Sequence, residues 1–134
     1  MKSNKGFSLV ELIVVIAIMA IIAGVAIPVY SAYITKAEES NSVQLCADAA
    51  YAAELANIEY GTTATVAVTA TTATITFADT DDTTTNENLA AAQVQTVAND
   101  EKVVASGAVV TITFAKSLSD EGQTKAAEAL ARLN

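Results

Sequence analysis

Histidine and tryptophan are missing from this chain of 134 residues, and cysteine and proline occur once each, as Cys46 and Pro28. Without histidine there is no imidazole base or ligand. With a lone thiol beside no obvious base, no nucleophile or acid/base constellation assembles. The five glycines form no phosphate-cradling loop, no metal-ligand cluster is spaced along the chain, and no catalytic residue or cofactor is implied. One cysteine excludes an intrachain disulfide, and its ordinary role is that of a small buried apolar side chain. No Asn-x-Ser/Thr sequon occurs. Basic residues are scarce as well, seven against fifteen acidic, for a net charge of -8. Such an acidic surface argues against direct nucleic-acid binding, or capture of anionic lipid, by the globular part. At this length the chain holds one core plus a tail or stalk.

What the sequence does have is a long apolar run. From Phe7 to Ile34 nearly every residue is apolar or small, and Glu11 is the only charge. About 20 residues at ~1.5 Å each span the hydrocarbon of a bilayer, so this stretch suffices as a helix. Three readings compete for it. A secretory signal peptide fits the basic Lys2 and Lys5 and a small-x-small site at Gly24-Val25-Ala26, but the apolar run continues beyond Ala26 through Ile27, Val29, Tyr30 and Tyr33. A plain anchor explains length and flanking lysines, yet leaves Glu11 unpaired in an environment that penalises it by about a few kcal/mol.

The third reading accounts for the carboxylate. Lys5-Gly6-Phe7-Ser8-Leu9-Val10-Glu11, followed by Leu12-Ile13, resembles the class III signal sequence of type IV prepilins. The resemblance implies cleavage after Gly6, N-methylation of the new first residue Phe7, and pairing of Glu11 with the amino terminus of a neighbouring subunit. It implies three kinds of partner: a prepilin peptidase, a membrane assembly platform with its ATPase, and further copies of the chain in a helical filament. It covers about the first quarter of the chain. Physically, a carboxylate in an apolar layer is tolerated when an opposite charge meets it, and cleavage creates a cationic amine in that layer. Glu11 then acts as a register pin while the apolar side chains supply adhesion. Loss of Lys2 and Lys5 leaves five basic against fifteen acidic side chains, or -10. The absent disulfide departs from the C-terminal loop of many pilins of outer-membrane bacteria and leans toward the disulfide-free pilins of Gram-positive bacteria.

Beyond the apolar run the helical pattern continues. Pro28 removes one backbone hydrogen bond and Gly24 loosens the turn before it, which predicts a kink there. The resemblance adds local melting between about Met19 and Pro28 in assembled filaments. Val43, Ala47, Tyr51, Leu55 and Ile58 recur at steps of three and four, which predicts the core-facing stripe of an amphipathic second half, interrupted by Glu54. Gly61 offers a left-handed stop. Tyr30 and Tyr33 lie at helical-neighbour spacing near the apolar part, where subunit packing explains them better than an electron-hopping track.

At Thr62 the composition changes, and half of the residues from Thr62 to Thr85 are threonine. Thr65 to Thr69 and Thr74 to Phe77 alternate as strands of a hairpin, with a turn near Ala70–Thr72 that lacks Gly, Asn and Pro. The word Thr74-Ile75-Thr76-Phe77-Ala78 returns as Thr111-Ile112-Thr113-Phe114-Ala115, with Lys102 to Ala105 and a Ser106-Gly107 turn before it. Alanine-rich segments follow each, Asn88 to Ala98 and Gln123 to Leu133, giving two hairpin-plus-helix units. Between them, Asp79, Asp81 and Asp82 offer carboxylates to calcium, but the glycine and distal glutamate of an EF-hand loop are missing, so a solvated acidic loop is the better reading. The clustered threonines also suit O-linked sugars by composition.

The predicted fold class is α+β: a long N-terminal α-helix with a hydrophobic first half, packed by its second half against a small C-terminal antiparallel β-sheet head with one or two short helices. The expected organisation is a leader at 1–6, a hydrophobic transmembrane and filament-core helix at 7–34, its amphipathic continuation at 35–60, and the head at 61–134. The expected function is that of a structural filament subunit, made in the cytoplasmic membrane with its basic end inside and then displayed at the cell surface. Two alternatives stay open: a pseudopilin of a type II secretion or DNA-uptake system, and a monomeric membrane-anchored binding domain.

Overall fold

The structure, a computed structural model, describes residues 6, 8–79 and 84–133. The chain divides into two compact units, residues 1–36 and 37–134. One helix, α1 (Leu9–Tyr60), runs from the first into the second and contains Pro28 without interruption.

In the first unit α1 carries an apolar surface that no described residue covers. Side chains from Leu9 to Tyr33 are exposed on every side of the helix. By length and composition it is the single helix among the described residues able to cross a membrane. Here helical form follows from backbone hydrogen bonding within one segment, the requirement that lipid imposes.

In the second unit the chain from α1 onward builds β1 (Thr62–Val68), β2 (Thr72–Asp79), α2 (Thr84–Ala98), β3 (Val103–Ser106), β4 (Val109–Thr113) and α3 (Asp120–Leu130), with a 3-10 turn at Ala131–Leu133. The four strands form one sheet in the order β1-β2-β4-β3, every neighbouring pair antiparallel. Two hairpins are thus joined through β2 and β4, the strands that carry the repeated Thr-Ile-Thr motif; Thr74 pairs with Thr111 and Ile75 with Val110.

The turns show which residues stand in for glycine. Between β1 and β2, Thr69 Oγ1 accepts hydrogen bonds from the amides of Thr71 at 3.3 Å and Thr72 at 3.1 Å, so a hydroxyl closes the turn. Gly107 takes φ 60° in the second hairpin, and Gly61 ends α1 at φ 69°.

Alternation gives the sheet one buried face, from Ala64, Ala73, Ile75, Phe77, Val103, Val110 and Ile112, and one threonine-rich face toward solvent. Onto the buried face α2 brings Ala90, Ala91 and Val94, and α3 brings Ala126 and Leu130. The contribution of α1 differs from the predicted stripe. Tyr51, Leu55 and Ile58 are 57, 42 and 78% exposed, whereas Cys46, Ala49, Ala50, Ala53 and Ala56 are fully buried. The reason is volume. The branched and aromatic side chains of the sheet already fill the layer, so the helix approaches with its smallest residues, also spaced at three and four.

Polar contacts tie the head to this part of α1. Glu39 receives the Ser119 hydroxyl at 3.0 Å, while Ser119 Oγ accepts from the Gly122 amide at 3.2 Å as the N-cap of α3. Ion pairs join Lys116 to Glu38 at 3.3 Å and Arg132 to Glu54 at 3.6 Å.

Candidate functional site

The start of α1 gathers the residues singled out by the sequence. Phe7 lies outside the described residues. Gly6 is exposed, and a Cβ at its α-carbon would meet no atom within 4 Å. Ser8 and Glu11 form a reciprocal pair: the Ser8 amide donates to Glu11 Oε2 at 3.0 Å, and the Glu11 amide donates to Ser8 Oγ at 3.2 Å. This is a capping box, in which each side chain satisfies an amide that the first helical turn leaves open. The Ser-x-x-Glu spacing of Ser8 and Glu11 is itself the sequence signature of such a box. In the single chain, therefore, Glu11 folds back over its own helix start and is held by Ser8.

Past Glu11 no charged residue occurs until Lys36. Leu12, Ile13, Ile16, Ile18, Ile21 and Ile22 are all more than half exposed, as are Tyr30 and Tyr33. Gly24 sits in open space, and the helix continues through it and Pro28. The surface has the chemistry of a lipid-facing or helix-facing element, its polar atoms limited to a few hydroxyls near its end.

The other candidates are not assembled into a site. Asp79 donates its amide to Glu87 Oε1 at 3.1 Å, while Asp81 and Asp82 lie outside the described residues. Among the described residues no group of three or more His, Cys, Asp or Glu side chains is placed to hold a metal. Cys46 is buried, and loss of solvent pushes its thiol up to about 11, so at neutral pH it is an uncharged, unreactive group. A polar cavity of about 410 Å³ lies between Glu38, Ser42 and Asp48 on α1 and Asp100 and Lys102 beyond α2. It is open to solvent and holds no paired nucleophile and base.

An exposed, uncharged helix of membrane length, begun by one capped carboxylate, defines the class: a protein whose N-terminal segment is made for lipid or for other helices. Residues 1–27 match the family model described as the prokaryotic N-terminal methylation motif. The chain is 41% identical over 59 residues to a fimbrial protein of Pseudomonas aeruginosa, covering 44% of this chain and 38% of the relative. It is 50% identical over 46 residues to the type IV major fimbrial protein FimA of Dichelobacter nodosus, covering 34% and 29%. Over 61 residues it is 39% identical to the prepilin peptidase-dependent protein D of Escherichia coli, covering 46% and 42%. The chain thus spans less than half of the length of these relatives. No solved structure matches it. Motif and relatives agree on the N-terminal segment: it carries the methylation motif and is similar to the start of the type IV fimbrial proteins.

Proposed function

We propose that this protein is a structural subunit of a type IV filament, which works by assembling and not by turning over a substrate. The observation that carries the reading is the run from Leu12 to Tyr33, uncharged and exposed, with Glu11 as the single carboxylate at its head. In this reading a prepilin peptidase cuts after Gly6 and Phe7 is methylated. The precursor waits in the cytoplasmic membrane until an assembly platform and its ATPase move it into a surface filament of many copies.

Glu11 sets the register. Were the helix continued back to Phe7, its amine would lie four rises of ~1.5 Å, about 6 Å, along the axis from Glu11. A neighbouring helix displaced along the axis brings its own amine nearer, and the carboxylate exchanges the Ser8 amide for a full positive charge, a stronger partner. Apolar contact between helices supplies the adhesion, and the heterologous contact leaves each end open to the next copy. Gly24 and Pro28 give the helix a place to bend or unwind under load.

Electron microscopy of sheared surface material, with mass spectrometry of the mature N-terminus, tests the reading. Filaments whose subunit begins at methylated Phe7 support it. A solitary membrane protein that retains Met1 refutes it. Glu11→Ala should leave the protein in the membrane and reduce filaments by at least about tenfold, the ratio corresponding to ~1.4 kcal/mol per contact.

A further inference from the structure

The two edges of the head's sheet are finished differently. The Phe77 amide donates to the Ala108 carbonyl and the Phe114 amide to the Thr71 carbonyl, both at 2.9 Å, so the odd-numbered residues of β2 bond toward β4. The even-numbered ones therefore bond toward β1, where Thr74 pairs with Ala67 and Thr76 with Thr65. That leaves Ala64, Val66 and Val68 with their amides and carbonyls turned away from the sheet. On the opposite edge, β3, the outward amides are taken: Ala105 donates to Gln95 Oε1 at 2.7 Å and Val103 to the Asp100 carbonyl at 3.0 Å. Among the described residues nothing caps Val66 and Val68 in this way. Ala64 is 5% exposed, so the open segment runs from Val66 to Val68, both part-buried, with Ala67 exposed between them. Edge strands commonly carry a charge, a proline or a bulge that discourages pairing, and β1 has none of these. Its register with β2 is unbroken from Thr62 to Val68, and no residue from Tyr60 to Ala78 is charged, in a chain with fifteen acidic side chains.

We infer that β1 pairs antiparallel with β1 of a second copy of the chain, Val66 of each opposite Val68 of the other. Charge selects the occupant. Two acidic chains repel wherever carboxylates meet, and this edge brings them together with none on either strand. The geometry is self-complementary as well, because outward-bonding residues meet outward-bonding residues and each such pair exchanges both of its N–H···O bonds. Ala67 then lies on the two-fold axis, opposite its own counterpart. An isologous contact of this kind is not a step in a filament grown by heterologous contacts. The inference therefore goes beyond the filament reading and needs only two anchored copies in one membrane. So short a paired segment makes a weak contact in dilute solution, and anchoring supplies the local concentration that populates it.

The test places Ala67→Cys or Thr65→Cys in the full-length chain carrying Cys46→Ala, reconstituted in phosphatidylcholine vesicles and oxidised with copper-phenanthroline. Both positions are exposed on the same face of the same strand. Across the two-fold axis the Ala67 α-carbons lie about 4.5 Å apart, within the reach of a disulfide, whereas the Thr65 positions are offset along the strands by about 13 Å. Covalent dimer from Ala67→Cys at least tenfold above that from Thr65→Cys is the expected result. Equal yields, as random collision gives, or no dimer from Ala67→Cys overturn the pairing and leave the filament reading untouched. A companion change, Val66→Pro added to Ala67→Cys, removes an outward amide and no bond of the β1–β2 ladder, so it should lower the dimer at least tenfold. An undiminished yield from that chain counts against the pairing.

Discussion

Which side of α1 meets the sheet can be tested by enlarging one residue and trimming another. Ala53 is fully buried among Ala49, Ala50 and Ala56, in the same cluster as Ile75, Phe77, Val110 and Ile112. Leucine there adds three carbon atoms where neighbouring side chains have already closed the space. Overpacking of this kind costs about 1–3 kcal/mol, while the change in helix propensity from alanine to leucine is only a few tenths, about 0.2 kcal/mol. For a folded unit near 100 residues, 1 kcal/mol moves the midpoint by about 4–8 °C, so Ala53→Leu should lower Tm by about 4–24 °C. Ile58→Ala removes a larger apolar side chain, but one that is 78% exposed, and should change stability by no more than about 0.5 kcal/mol. Calorimetry of the full chain in detergent micelles measures both. A greater loss from Ile58→Ala than from Ala53→Leu would put the large side chains against the core and refute the packing described here.

Three further outcomes follow from other parts of the head. Burial holds the Cys46 thiol protonated up to about 11, whereas the unfolded chain releases that proton near 9.0. The associated stability is intact below pH 9 and is lost as pH rises from 9 toward 11, by up to about 2–3 kcal/mol, and denaturant curves at pH 8 and 10.5 should show that loss flattened in Cys46→Ala. Ser119→Ala deletes the N-cap of α3 and its bond to Glu39, and should cost about 0.5–2 kcal/mol by thermal melting. Ser119→Asp is normally an equivalent cap, yet it sets a second carboxylate against Glu39; it should melt below Ser119→Asn, with the gap closing in high salt.

Legibility varied along the chain for physical reasons. The N-terminal helix was plain because an uncharged run of this length has few alternatives, and the motif around Gly6 and Glu11 is dense with specific residues. The strands were plain where Thr and Val, Ile or Phe alternate, whereas the adjacency of β2 and β4 is set by the tertiary fold. The threonine turn at Thr69 was harder to locate, because a hydroxyl can accept from backbone amides wherever the chain permits. The start of α2 at Thr84 preceded the alanine-rich segment expected from Asn88, since the packing of Ala90, Ala91 and Val94 outweighs the weak helix propensity of threonine.

By itself the sequence determined the segment that the chain offers to lipid or to other copies, because hydrophobicity without charge over such a length is a property of composition. It also determined the α+β class, through the change of period at Thr62. Only the tertiary structure decided which face of α1 enters the head. Periodicity marks candidate faces by spacing alone, and both the large stripe and the alanine stripe satisfy it. The choice belongs to the volume left between helix and sheet, a quantity that exists only once Ile75, Phe77, Val110 and Ile112 are brought together.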